Sequence, residues 1–199
     1  AWPSAESESI RVQGFAGWKA GMTHVLLRDL NPSSTSAGQE VRKAVTVVET
    51  PPMKVLGVRG YIMDPYGLRT AGEVWCEPDD LPDGLTPRLA NATRGERDAS
   101  EGRKPSKRSG RIPNRGTGFN QAAFDSLSSS NLVEVRLIAA TQPKLVSGSP
   151  SKTSEIMELN LVGGTSTEKL VWAKERLGSE ITIEDVWEGG QEIDVIGIT

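Results

Sequence analysis

Short runs of β-branched and apolar residues, separated by turn residues, make up the first third of the chain. Residues 41–48 (VRKAVTVV) place three valines and a lysine on one side of an extended chain, and Ala, Thr and Val on the other. This content favours a strand that is buried on much of both faces. Residues 25–27 and 53–58 are two more apolar runs. The turn-rich residues 31–38 separate the run at 25–27 from the run at 41–48. Short strands with no helical pattern between them predict an antiparallel barrel or sandwich, to which residues 69–75 add one more strand.

The second half of the chain mixes strand and helix patterns. Residues 132–139 alternate apolar and charged positions, which predicts a half-buried strand, and residues 156–162 predict another. Thr165 and Glu168 have the spacing of a capping box, and a helix is predicted to follow. Three apolar residues fall on one face of that helix, and a glycine ends it (Leu170, Ala173, Leu177 and Gly178).

Two further elements complete this half. Residues 182–185 predict a short second helix start, and residues 193–198 return to strand character. We therefore interpret the second half as an α/β insertion that leaves a β-domain and comes back to it. The predicted division is residues 1–76 for the first part of the β-domain, 77–192 for the insertion, and 193–199 for the returning strand.

The stretch between the two halves has a different character. Residues 77–84 contain two prolines and four acids and predict a boundary loop. Residues 91–120 contain almost no large apolar side chain, so they cannot bury enough surface to order themselves. We predict a basic loop over about residues 88–120. The alternative is a solvated surface loop without a partner.

Composition excludes several classes of protein. The chain has 199 residues, and no apolar run approaches the roughly 20 residues that span a bilayer. No signal peptide pattern opens it, so we expect a soluble intracellular protein without a membrane partner. Cys76 and His24 are the single Cys and the single His, which excludes a disulfide framework and a His-rich metal site. We expect neither a metal nor a cofactor.

Charge is distributed unevenly along the chain. The net charge is only -3, from 26 acidic and 23 basic residues. Residues 88–115 nevertheless contain nine basic and three acidic residues, a local charge of +6. Residues 155–199 contain ten acids and three bases, a local charge of -7. Segment charges therefore say more about partners than the net charge does.

Catalytic motifs are weak in this sequence. Gly163 and Gly164 precede a helix, but the Walker pattern of a phosphate loop is absent, and a plain capped helix start is favoured. His24 lacks a Ser or Cys nucleophile in an elbow motif, so a structural or RNA-contacting role is favoured over catalysis. We predict that the protein is not an enzyme and takes no small-molecule substrate. A small hydrolase with His24 as the base is the weakest alternative.

Basic and aromatic residues alternate through the β-region. Lysines and arginines from Lys19 to Arg69 are interleaved with Trp18, Tyr61 and Tyr66. Basic side chains contact phosphates, and aromatic rings stack on unpaired bases. A folded body with a basic loop that cannot order by itself is typical of proteins that fold onto a large structured RNA. The competing hypothesis is a stand-alone protein-binding module that uses the acidic face of the insertion.

Longer motifs give the sequence a specific resemblance. Residues 12–25 (VQGFAGWKAGMTHV) resemble the first barrel segment of the ribosomal protein L three family of the large subunit, in its archaeal and eukaryotic form. Further matching motifs follow in the family's order: 49–53 (ETPPM), 57–61 (GVRGY), 66–67 (YG), 73–75 (EVW), 135–138 (VRLI), 141–143 (TQP), 156–158 (IME), 162–164 (VGG) and 194–199 (DVIGIT). The resemblance extends over nearly the whole chain.

This resemblance implies a fold and a function. The fold would be α+β and mainly β, a translation-protein type β-barrel that carries an α/β insertion. The function would be that of a structural constituent of the large ribosomal subunit, which binds large-subunit ribosomal RNA and supports assembly near the peptidyl transferase region. Neighbouring ribosomal proteins are the implied protein partners, and the ribosome in the cytoplasm is the implied location.

Two departures from the family pattern set further expectations. The family's basic N-terminal extension is missing, and so are the glycine- and lysine-rich stretch and the strands that follow Thr199 in the family. We therefore expect a fragment of a family protein rather than a short relative. We also expect an incomplete barrel with unpaired strand edges, which favours self-association or a rearranged strand.

Eleven basic residues are predicted to contact RNA. Five lie in or beside the family-like motifs, and six are chosen by charge in the basic loop. They are Lys19, His24, Arg28, Arg59 and Arg69 in the first group, and Arg103, Lys104, Lys107, Arg108, Arg111 and Arg115 in the second.

Overall fold

Two antiparallel sheets and two helices form the structure, a computed structural model that describes residues 9–77, 82, 85 and 119–197. The strands are β1 (Arg11–Gln13), β2 (Trp18–Arg28), β3 (Glu40–Glu49), β4 (Met53–Asp64), β5 (Gly67–Trp75), β6 (Glu134–Ala140), β7 (Ile156–Val162) and β8 (Glu180–Ile181). The helices are α1 (Gln121–Ser129) and α2 (Ser166–Glu175), and short 3-10 turns lie at Pro143–Leu145 and Ile183–Asp185. The mainly β, antiparallel class predicted from the sequence is confirmed.

The larger sheet combines strands from both halves of the chain. Its order is β1-β7-β6-β4-β5, and β8 pairs with the start of β4. Strand β4 pairs with β5 on one side and with β6 on the other, all antiparallel. Strands from the predicted β-domain and from the predicted insertion therefore share one sheet. The domain bounds at residues 76 and 192 stay a prediction.

The main core lies between this sheet and the two helices. Val58, Val135 and Leu137 are buried on one sheet face, where they pack with Leu127 of α1 and Leu170 of α2. Leu137 and Ile138 are neighbours in a strand and therefore point to opposite faces. Ile138 belongs to a second buried cluster on the other face, together with Leu56, Trp75, Leu85 and Ala140.

Both helices begin at side-chain caps. The Thr165 hydroxyl accepts from the Glu168 amide, and the Glu168 carboxylate accepts from the Thr165 amide, so the predicted capping box is present. Gly178, at φ 75°, follows the end of α2 as predicted. Asn120 caps α1 by accepting from the Ala123 amide. Sequence patterns did not indicate α1.

The smaller sheet is a two-stranded ribbon made of β2 and β3, which pair only with each other among the described strands. The prediction that residues 41–48 are buried on both faces is wrong, because most of their side chains are exposed. No described strand or helix forms a layer over the ribbon, so its β-branched residues have little to pack against.

The predicted returning strand is also absent from the described residues. Residues 193–197 have no strand pairing, and the side chains of Val195 and Ile196 are exposed. A strand requires a hydrogen-bonded neighbour, and none of the described strands lies beside this segment. Both sheets are open in the described part of the chain, and closure into a barrel stays a prediction. Among these residues, neither helix is long and apolar enough to cross a membrane.

Candidate nucleic-acid interface

The loop that joins β2 to β3 is organised by one carboxylate. Asp29 accepts hydrogen bonds from the Asn31 amide at 3.0 Å and from the Ser36 hydroxyl at 2.7 Å. Hydrogen bonds from Ser34, Ser36 and Asn31 lower the pKa of Asp29 to about 2. Gly38, at φ 80°, supplies the left-handed conformation that returns the chain to β3. This loop fixes the register of the ribbon.

The register brings three of the predicted RNA contacts onto one face of the ribbon. His24 is opposite Ala44, Arg28 is opposite Glu40, and Lys19 is opposite Val48. Side chains of alternate residues share a face, so Glu40, Ala44 and Val48 all point the same way. A bulge between Lys19 and Gly21 adds one residue to β2, and it restores Lys19 to the face of His24 and Arg28.

A fourth basic residue joins this group. Arg42 is opposite Leu26 on the same face, and its Nη2 donates to Nδ1 of His24 at 3.0 Å. Arg28 Nε donates to the Gly38 carbonyl at 3.3 Å, which ties it to the loop. We name Lys19, His24, Arg28 and Arg42 the ribbon face. Sequence analysis did not select Arg42, because only the pairing of β2 with β3 shows that it lies diagonally from His24.

Apolar side chains lie between these basic groups. Met22 and Leu26 lie two residues before and two residues after His24 in β2, so they share its face, and they are 64% and 67% exposed. A surface that combines cations with exposed apolar atoms can hold phosphates and also contact the sugars and bases between them.

Arg59 lies in a different environment. Its guanidinium donates to Glu73 at 2.6 Å and to Glu158, and its side chain is only 17% exposed. Tyr61 donates to Glu158 at 2.7 Å, and Arg136 donates to Glu158 at 3.2 Å while lying 4.3 Å over the Tyr61 ring. Burial disfavours the charged guanidinium, but the hydrogen bonds that it donates to Glu73 and Tyr61, together with the nearby carboxylates, raise the pKa of Arg59.

We name Arg59, Tyr61, Glu73, Arg136 and Glu158 the sheet network. Its members come from four strands, β4 to β7, and they satisfy one another on the sheet face opposite the helices. The donors of Arg59 are engaged by carboxylates, so an RNA contact by this residue would compete with the network. The contact itself stays a prediction. The only signal in the sequence is the alternation of charged with apolar residues, which also fits plain solvent exposure.

Arg69 is near the tip of the β4–β5 hairpin, away from the sheet network. Its side chain is 73% exposed, and its nearest carboxylate, Asp64, is 3.8 Å away. The six loop residues predicted to bind RNA lie outside the described residues (Arg103, Lys104, Lys107, Arg108, Arg111 and Arg115). The structure therefore brings together three of the five barrel-motif residues and separates Arg59 and Arg69 from them.

Catalytic geometry is not visible at the single histidine. The His24 ring contacts a guanidinium, whereas a general base is commonly oriented by a carboxylate. Cys76 is buried. Among residues 9–77, 82, 85 and 119–197, no group of three or more His, Cys, Asp or Glu is arranged to hold a metal ion.

Comparison with known proteins identifies the class to which this fold and its basic surfaces belong. The profile of the family described as Ribosomal protein L3 matches residues 1–199. Large ribosomal subunit protein uL3 of Archaeoglobus fulgidus is 40% identical over 199 residues, which cover 100% of this chain and 52% of that protein. The proteins of the same name from Methanothrix harundinacea and Natronomonas pharaonis are 36% and 38% identical, again over 100% of this chain and 52% and 53% of theirs.

The chain belongs to the ribosomal protein L3 family. The family resemblance expected from the motifs is thus confirmed, and the relatives named above are archaeal. The chain spans about half the length of the relatives it matches.

Proposed function

We propose that this chain is part of a structural constituent of the large ribosomal subunit that binds large-subunit ribosomal RNA. It acts without catalysis, in the cytoplasm, with neighbouring ribosomal proteins as further partners. The observation that carries the proposal is the ribbon face, where Lys19, His24, Arg28 and Arg42 are exposed together on one side of two strands. The names of the relatives place those proteins in the large ribosomal subunit, which supports the same assignment.

The charge pattern supports RNA over a protein partner at this surface. The four basic residues of the ribbon face share their side of the ribbon with one carboxylate, Glu40. Several phosphates held by such a surface release counterions, so affinity falls steeply as salt rises. Residues 88–115 of the sequence, with their local charge of +6, add to the same preference. The acidic residues 155–199 lie elsewhere in the sequence, and they are the surface that the alternative protein-binding module would use.

Filter binding with a transcript of large-subunit ribosomal RNA from Archaeoglobus fulgidus tests this proposal. We expect the affinity of the full chain to fall roughly tenfold or more between about 50 and 200 mM salt. Replacing Lys19 and Arg42 together by Gln should weaken binding and reduce the salt slope by about 1.4 to 1.8, because each lost phosphate contact removes about 0.7–0.9. Arg28 is left in place because it holds the ribbon loop.

The matched control removes two exposed lysines elsewhere. Lys144 and Lys152 lie beyond the end of β6, outside the ribbon, and replacing both by Gln makes the same change in net charge. The control should keep the wild-type slope. If both double variants reduce the slope equally, the effect is one of net charge and the ribbon face is not the binding surface. Absence of RNA binding at low salt would favour the protein-binding module.

A further inference from the structure

The tip of the β4–β5 hairpin is a second exposed structure with features of its own. Asp64 pairs with Gly67, so the turn itself consists of Pro65 and Tyr66. Proline fixes φ near -65°, which excludes the turn types that need a positive φ at the first position. Gly67, at φ 121°, supplies the positive φ after the turn instead. The turn is therefore determined by Pro65 and Gly67.

Tyr66 is not required by this turn. Its position accepts most residue types, and short polar residues are common in turns. The side chain of Tyr66 is 100% exposed, so both faces of its ring are open to solvent. Met63 and Leu68 pair with each other directly below the turn and are also exposed, at 62% and 41%. Three large apolar side chains at one hairpin tip form an exposed patch without a structural role in the described chain.

A cation lies on the other face of the same hairpin tip. Arg69 pairs with Ile62 one step below Met63 and Leu68, so its side chain points to the face opposite theirs. Its distance of 3.8 Å to Asp64 is longer than a hydrogen bond, so the guanidinium donors are available to another acceptor. Proteins hold unpaired nucleotides by an open aromatic ring that stacks on a base and by cations that contact the phosphates, and this hairpin tip carries one group of each kind.

We propose that the hairpin tip, defined as Met63, Tyr66, Leu68 and Arg69, binds an unpaired nucleotide of RNA. Tyr66 stacks on the base, Met63 and Leu68 offer apolar contact on one face of the tip, and Arg69 contacts a phosphate of the same strand from the other face. This inference rests on the proposed function and adds to it a second contact of different chemistry. The ribbon face holds phosphates by charge, whereas the tip selects single-stranded nucleotides through an aromatic ring.

Two RNA probes with equal numbers of phosphates test the inference on the full chain. One is a single-stranded oligouridylate, and the other is a blunt RNA duplex. Tyr66→Ala should lower affinity for oligouridylate by roughly 5- to 150-fold, which is the effect of one lost stacking contact, and should leave the salt slope unchanged. Tyr66→Phe retains the ring and should bind like the wild type. Arg69→Gln should reduce the salt slope by about 0.7.

The control is another exposed apolar residue at the other end of the sheet. Leu145 lies in the 3-10 turn that follows the end of β6. The end of β6 pairs with the start of β4, whereas the hairpin tip follows the end of β4. Leu145→Ala should bind both probes like the wild type. Tyr66 is an exposed turn residue, so its variants should also keep the wild-type urea midpoint, which shows that any lost affinity is not a loss of folding.

Each other outcome overturns the inference in a distinct way. Wild-type affinity of Tyr66→Ala for oligouridylate would show that the tip does not contact RNA, and would favour a protein partner for its apolar patch. Equal losses in Tyr66→Phe and Tyr66→Ala would assign the contact to the hydroxyl, and equal losses for both probes would exclude stacking on unpaired bases. If the wild type binds neither probe nor the ribosomal RNA transcript, the proposed function itself fails.

Discussion

The six-stranded sheet and the two-stranded ribbon are built from similar strands and differ in what lies against them. In the sheet, β6 lies between β4 and β7, α1 and α2 cover one face, and a second apolar cluster covers the end of the other. In the ribbon, β2 and β3 pair only with each other among the strands that the structure describes. Leu137 of β6 is 0% exposed, whereas Leu27 of β2 is 46% exposed.

This difference shows that neighbours rather than strand composition set the burial of a strand. An isolated two-stranded hairpin is marginally stable in water, because it has no apolar layer to cover. The ribbon is instead held by its backbone pairs and by the Asp29 loop, and its exposed side chains are available for a partner. The sheet and its helices contain the two buried apolar clusters, and the ribbon and the hairpin tip are the elements for which we propose RNA contacts.

The largest expected effect compares one leucine from each region. Leu137→Ala should reduce the free energy of unfolding by about 2–5 kcal/mol, because it leaves a cavity between the sheet and the helices. Leu27→Ala removes the same atoms from a half-exposed position and should reduce it by less than about 1 kcal/mol. Urea denaturation followed by tryptophan fluorescence measures both. Equal losses would mean that the ribbon is packed in solution, for example by self-association.

The reversal between predicted and observed burial has a physical cause. The alternation of residues 132–139 and the β-branched run of residues 41–48 were sufficient to locate β6 and β3 as strands. Burial was predicted the wrong way round, since β6 is largely buried on both faces and β3 is largely exposed. Periodicity reports the local backbone, whereas burial depends on which distant segments pair, and these patterns do not specify that.

The candidate site was predictable to a similar extent. Three residues selected from the basic motifs, Lys19, His24 and Arg28, lie together on the ribbon face, and their contact with RNA stays a prediction. The motifs missed Arg42, which requires the β2–β3 register, and they could not show that Arg59 is engaged by Glu73 and Glu158. The capping box at Thr165 was predictable because all of its contacts lie within four residues. Helix α1 was missed because only two of its side chains, Phe124 and Leu127, are buried.

An intermediate effect is expected from the sheet network. Glu158→Gln removes a carboxylate that accepts from Arg59, Tyr61 and Arg136 in a partly buried position, and it should cost about 1–3 kcal/mol at pH 7. Asp64→Asn is the matched change at the exposed pair with Arg69, and it should cost less than about 0.5 kcal/mol. Urea titrations of both variants make the comparison.

The pH dependence of the same variant gives an independent check. Burial alone would raise the pKa of Glu158, but the hydrogen bond from Tyr61 and the charges of Arg59 and Arg136 lower it below its ordinary value of 4.5. The folded-state pKa is thus below the unfolded one, so this stabilisation is complete above pH 4.5 and is lost as the pH falls below it. The difference between wild type and Glu158→Gln should therefore shrink on acidification. A difference that is constant from neutral to acidic pH would assign the loss to packing instead.

The smallest effects compare two side chains that hold local structure, Thr165 at the start of α2 and Asp29 in the ribbon loop. Thr165→Ala removes the N-cap of α2, which packs on the sheet, and should cost about 1 kcal/mol in the global transition, because the first turn of the helix loses a hydrogen-bond acceptor.

Asp29→Ala removes the carboxylate that holds the ribbon loop. Since β2 and β3 pair only with each other in the described chain, we expect the sheet's urea midpoint to stay at the wild-type value while the ribbon amides exchange their hydrogens faster. Hydrogen exchange read by mass spectrometry separates the ribbon from the sheet, and Thr165→Ala should leave exchange in the ribbon unchanged. If Asp29→Ala instead lowers the sheet's midpoint as much as Thr165→Ala does, the ribbon and the sheet unfold as one unit, and the ribbon is part of the folded core rather than an extension of it.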